Sequence, residues 1–145
     1  MSDDQIWPKL ERPNVEDRLN KARQIRDAMG IYGKDGQSTM DLMTMSSTQT
    51  QGIMEWCFGM VWPETPFDMK TKEIIVLASL VALDLTDNIE QHVKAGLNLG
   101  LTREEIIGVF VQATPYIGLP KANHGIRAAM RAFKKIDEEK AKGAT

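Results

Sequence analysis

The sequence predicts an all-α fold, on three observations. No stretch alternates apolar and polar residues with the period of two that a half-buried strand needs. Apolar residues recur instead at steps of three and four, and the stretches so marked begin and end at residues that cap helices. In "NVEDRLNKARQIRDAM", residues 14–29, Val15, Leu19, Ala22, Ile25 and Met29 share one face and Gly30 follows as a stop. "IYGKDGQS", residues 31–38, has two glycines and an Asp-Gly pair and reads as a loop. A second helix is expected over about residues 40–59, although "TMSSTQTQG" is rich in side chains that compete for helical hydrogen bonds. The two prolines of "WPETPFD" should interrupt it.

Asp68 can cap the next helix, "MKTKEIIVLASLVAL", which is apolar nearly all round beyond Glu73 and should be buried on most sides as the centre of the fold. After "DLTD", Asp87 with Glu90 has the spacing of a capping box, and Gly100 ends that helix. Thr102 with Glu105 fits the same box better. The helix from Arg103 should kink or end near Pro115, and a last helix should start near Lys121 and run out into the charged tail "KKIDEEKAKGAT". The expectation is about six helices, with residues 74–83 paired antiparallel to 89–97 across a reversal near residues 85 and 86.

A chain of 145 residues suits a single domain, residues 1–145, with an N-terminal helix and loop (1–38) ahead of a core (39–145). A net charge of −2 with interspersed signs offers no basic face for nucleic acid or an anionic membrane. The longest apolar run, "IIVLASLVAL", is about half of the ~20 residues a spanning helix needs. The polar start "MSDDQIWPKLERP" is unlike a signal peptide, so a cytoplasmic location is expected. One cysteine, Cys57, and two histidines give neither a dithiol nor metal-ligand spacing, so cofactor-free, non-metal chemistry is expected.

From Glu55 onward four stretches resemble, in order and spacing, the carboxymuconolactone decarboxylase family of the alkylhydroperoxidase D-like superfamily. They are "EWCFGMVW", "DMKTKEIIVLASLVAL", "HVKAGLNLGLTREEI" and "YIGLPKA", and they cover about the last two thirds of the chain. The resemblance implies a helical fold with a central antiparallel hairpin, no cofactor, and a homo-oligomer, a trimer or a hexamer built as a trimer of dimers. The site it implies lies between helices near a subunit interface, with His92 as its central polar group. The peroxidase-like branch carries Cys-x-x-Cys before that histidine; here Leu85 and Asn88 stand in those positions, so disulfide chemistry has no basis. The decarboxylase branch usually has Glu where this chain has Met60 and Arg where it has Lys94, departures that leave the exact substrate open.

The implied reaction takes 4-carboxymuconolactone, a small carboxylated lactone, to the enol-lactone of 3-oxoadipate with loss of CO2. Electrons from the departing carboxylate flow into the conjugated ring, so the site must stabilise a negative oxygen and return a proton to carbon. An imidazole titrates near the working pH and suits both tasks, which makes His92 the candidate acid or base. Glu55, between apolar neighbours and so expected to have a raised pKa, is the expected partner of His92; the alternative is a helix-surface charge. Glu73 falls where the peroxidase-like branch has a relay carboxylate, but the expected hairpin sets it level with Asn98, ~9 Å along the helix from His92, which argues against direct contact. Trp56, Trp62, Met60 and Tyr116 are either substrate contacts or core and interface packing. Lys94 is a possible carboxylate holder that shares no helix face with His92. Cys57 reads as a small buried hydrophobe, and His124 as a surface or capping residue. Other readings are a related lactone-opening or isomerising enzyme, a non-catalytic oligomeric binding module and, last, a thiol peroxidase.

Overall fold

The structure is a computed structural model that describes residues 13–30 and 47–143. All the regular structure of the described residues is helical. Helix α1 is Val15–Met29, capped by Asn14, whose side chain accepts from the Asp17 amide, and closed by Gly30 in the left-handed region at φ 61°. Helix α2 is composite: an α-helical Ser47–Gly52, a π-helical Ile53–Val61 and an α-helical turn Trp62–Glu64. The loop expected over 31–38 and the expected start of the second helix lie outside the described residues. Pro63 does not interrupt α2, because the first turn of an α-helical segment tolerates a missing N–H; the break comes at Thr65, which is extended.

Helix α3, Met69–Ala82, starts at Asp68, whose Oδ1 accepts from the Thr71 amide at 2.7 Å. It is less buried than its composition suggests: Glu73, Leu77 and Val81 face inward, while Ile74 and Ile75 are 36% and 47% exposed. Apolar residues all round a helix therefore do not give all-round burial within one chain. The chain reverses at Asp84, a left-handed residue at φ 59°, and α4 runs Thr86–Asn98. The capping box expected at Asp87 is not formed. Leu85 occupies the cap position without a side-chain bond, and the Glu90 carboxylate is taken by Arg131 and Lys135, each at 2.6 Å.

Helix α5, Arg103–Ile117, carries the full capping box of Thr102 and Glu105 and contains Pro115 in its last turn. Helix α6 starts at Leu119, two residues earlier than expected, and stays helical through most of the charged tail to Gly143. His124 is exposed and reaches Asp84 at 2.8 Å, while the Lys121 ammonium donates to the Ala82 carbonyl, so the start of α6 ties down the hairpin turn.

Two apolar clusters hold these helices. One packs α3, α4, α5 and α6 around Leu77, Ile89, Ile106, Phe110 and Phe133. The other joins α1 and α2 to α4 through Ala22, Ile25, Met29, Phe58, Trp62 and Ala95, with Met69 and Val76 of α3 at its edge. α1 and the π segment meet closely: a Cβ on Gly59 would stand 2.7 Å from the Arg18 carbonyl. The α3–α4 hairpin thus lies between the clusters, and polar side chains buried on it stand near both.

Candidate active site

Glu73 and His92 are the polar centre of the hairpin. His92 Nδ1 lies 2.7 Å from Glu73 Oε1, with the histidine side chain 16% exposed and the carboxylate fully buried. The expectation that their separation argues against direct contact is overturned. The chain reverses at Asp84 rather than near 85 and 86, which brings Glu73 level with Ala95, and three residues of helix are a rise of only about 4.5 Å. Gly96, one turn from His92, lies beside this pair: a Cβ there would meet Glu73 Cγ at 3.7 Å, an ordinary contact, and Leu101 Cδ1 more tightly at 3.1 Å, so the glycine relieves the packing of Leu101 rather than that of the carboxylate.

When the carboxylate is ionised it only accepts, and the contact then puts the hydrogen on His92 Nδ1 and leaves Nε2 as the ring atom that can exchange a proton. Glu73 Oε2 is buried without a hydrogen-bond partner among the described residues. A buried carboxylate with one bare oxygen costs stability and is tolerated where it performs a task.

Glu55 is not the partner of His92 within the chain. Its Oε2 takes Arg18 Nη2 at 2.8 Å and its Oε1 takes Gln51 Nε2 at 2.5 Å. The Arg18 hydrogen bond first, and that of Gln51 second, hold its carboxyl below the ordinary range, the reverse of the raised value expected from apolar neighbours. Arg18 lies 37 residues earlier, too far for helical spacing to reveal the pair.

The other candidates scatter. Trp62 is buried with its ring 5.7 Å from Phe58, Met60 is half-buried, and Trp56 and Tyr116 are 66% and 81% exposed. Lys94 is exposed and faces Glu139 of α6 at 3.7 Å, away from the helix face of His92. Burial pushes the half-buried Cys57 thiol up, against a smaller opposing effect of a hydrogen bond with Trp62, which makes it a poor nucleophile. Among the described residues no group of three or more His, Cys, Asp or Glu is placed to hold a metal ion, and no helix is long and apolar enough to cross a membrane. A groove of about 870 Å3 between α5 and α6, lined by Ile107, Gly108, Val111, Met130 and Phe133, contains neither His92 nor Glu73.

The π segment belongs to the same neighbourhood. Its Phe58 and Cys57 pack in the cluster that holds Ala95, three residues from His92, and the Trp62 amide reaches five residues back to the Cys57 carbonyl. Such stretches occur often at functional sites, because the widened turn re-aims side chains that an α-helix would place elsewhere.

Two known proteins are similar to the chain. The chain is 24% identical over 123 residues to a 4-carboxymuconolactone decarboxylase of Acinetobacter baylyi, covering 85% of this chain and 92% of that protein. It is 28% identical over 91 residues to the nitrosuccinic acid decarboxylase npaB of Metarhizium robertsii, covering 63% of this chain and 62% of that protein. Residues 50–131, which hold the π segment, the hairpin and both members of the Glu73–His92 pair, match the model of the carboxymuconolactone decarboxylase family, and the chain belongs to that family.

Proposed function

We propose that the protein is a decarboxylase of small carboxylic acids in which His92 delivers the proton. The observation that carries this reading is the His92–Glu73 contact, which holds the imidazole in one tautomer with Nε2 available. The names of the two relatives support the reaction type. The two chemistries share one requirement. A carboxylate departs as CO2 from a carbon whose electrons an adjacent group can receive, a conjugated lactone in one case and a nitro group in the other. The C–C bond breaks, its pair passes to an oxygen of that sink, and a proton then returns to carbon. Protonated His92 gives up its Nε2 proton in the last step, and Glu73 stabilises the imidazolium beforehand.

The substrate class is therefore a small acid with an electron sink at or conjugated to the carbon that bears the departing carboxylate, and a carboxylated lactone is its first candidate. The reading extends to a homo-oligomer, a trimer or hexamer. Exposed Ile74 and Ile75 on α3 and Trp56 on α2, the helices that carry the site, offer apolar surface to a second copy.

The test is CO2 release and the ultraviolet spectrum of 4-carboxymuconolactone, and separately of nitrosuccinic acid, with wild type and His92→Ala. Turnover by wild type, reduced about 10²–10⁴-fold in the alanine variant, is expected. Undiminished turnover in a folded His92→Ala oligomer would overturn the assignment. Light scattering tests the assembly, and a mass equal to one chain would remove it.

A further inference from the structure

We infer that Lys72 is a carboxylate anchor of this site, holding a second carboxylate of the substrate while the first is lost near His92. The inference rests on the decarboxylase reading above. A diacid such as nitrosuccinic acid, named in one relative, keeps a charged carboxylate after the first has left as CO2, and that group needs a cation in a partly dry site.

Lys72 and Glu73 are consecutive on α3 and point about 100° apart. Glu73 turns into α4 toward His92; Lys72 turns toward α2, where its ammonium donates to the Trp62 carbonyl at the end of the π segment. The apolar side chains of Met69, Val76, Phe58 and Trp62 cluster beside this strip of α3, on the side where Ala95 of α4 is buried.

Three other cations on these helices face acids. Arg18 faces Glu55 at 2.8 Å, Lys70 faces Glu105 at 3.9 Å, and Lys94 faces Glu139 at 3.7 Å. Lys72 has no carboxylate at ion-pair distance among the described residues. Asp68, one turn earlier, attracts it but uses Oδ1 to cap the Thr71 amide. One carbonyl accepts one of the three ammonium N–H groups and leaves donors for a ligand.

Two further effects favour an anion here. Burial chiefly, and the positive charge of Lys21 on α1 secondarily, hold the Lys72 amine below its ordinary range. An arriving carboxylate opposes both, because it pairs the half-buried charge and screens one amine from the other.

The experiment uses succinate as an inert diacid and butyrate as its monoacid counterpart, with binding measured by calorimetry to wild type, Lys72→Gln, Lys72→Arg and His92→Ala. Lys72→Gln removes the charge and keeps a neutral N–H donor on a side chain one bond shorter. Expected are tighter binding of succinate than of butyrate, a loss of about tenfold in Lys72→Gln, recovery in Lys72→Arg, and a smaller change in His92→Ala than in Lys72→Gln. With the substrate, Lys72→Gln should raise KM about tenfold and leave kcat nearly unchanged. Equal succinate binding by wild type and a folded Lys72→Gln would overturn the anchor. If succinate binding depends on Lys72 but no acid is decarboxylated, the decarboxylase reading falls and the anchor stands. If turnover depends on His92 while KM ignores Lys72, the anchor falls and the reading stands.

Discussion

Glu73 Oε1 and His92 Nδ1 meet at 2.7 Å across the α3–α4 hairpin, while the second oxygen of the same carboxylate has no partner among the described residues. Such a group serves orientation rather than cohesion: a buried carboxylate loses its hydration and recovers only part of it from a single imidazole. Glu73→Leu should therefore leave the unfolding free energy within about 1 kcal/mol of wild type, or raise it, while lowering turnover severely because His92 loses its fixed tautomer. Denaturant melts and CO2 assays on one preparation decide it. Destabilisation beyond about 3 kcal/mol would show that the carboxylate holds the fold together.

Two helical glycines should respond to alanine with opposite signs. A Cβ on Gly125 would stand 2.7 Å from Val81 Cγ2 and 2.9 Å from Phe110 Cδ1, inside the cluster that joins α3, α5 and α6. Gly125→Ala should cost about 1–3 kcal/mol, the usual penalty of overpacking. At Gly108 no atom lies within 4 Å of the added carbon, and helix propensity alone should make Gly108→Ala stabilising by up to about 1 kcal/mol. Thermal unfolding of the two variants beside wild type measures the contrast; equal shifts would refute it.

The helical framework was legible because caps and periodicity are local. Asp68 and Thr102 cap as their side chains suggest, and Gly30 stops α1 as expected. What sequence reading missed depends on long-range competition. Glu90 has the spacing to close a box with Asp87, yet Arg131 and Lys135, more than forty residues away, take its oxygens. Glu55 was mispaired for the same reason, with Arg18 arriving from α1. Glu73 was displaced by the position of one left-handed residue: Asp tolerates positive φ, so Asp84 was a detectable reversal point, and counting from it places Glu73 within reach of His92. No periodic signal marks the π segment, since a widened turn changes hydrogen-bond spacing without changing composition.

The capping box of α5 offers a local test of stability. The Thr102 hydroxyl accepts from the Glu105 amide at 3.1 Å, and the Thr102 amide donates to Glu105 Oε2 at 2.8 Å. Thr102→Ala should cost about 1 kcal/mol and Thr102→Asp much less, because aspartate restores the acceptor. Chemical denaturation with an unchanged m-value should report both; equal losses would remove the cap from the account.

Glu90 links α4 to α6 and should make stability depend on acid. Burial alone would raise its carboxyl, but the hydrogen bonds from Lys135 and Arg131, with their charges, outweigh it and hold the group below the ordinary carboxylate range. A depressed folded value means that the unfolded chain binds the proton more readily, so the contribution is complete above the unfolded value near ~4.3 and is lost as pH falls through the folded one. Glu90→Gln should lower stability at pH 7 by up to about 1 kcal/mol, since both cations are largely exposed. The gap to wild type should stay constant from pH 7 to pH 5 and close in stronger acid. A gap unchanged down through the acid limb would mean that the amide replaces the charge and that the two bonds act by geometry alone.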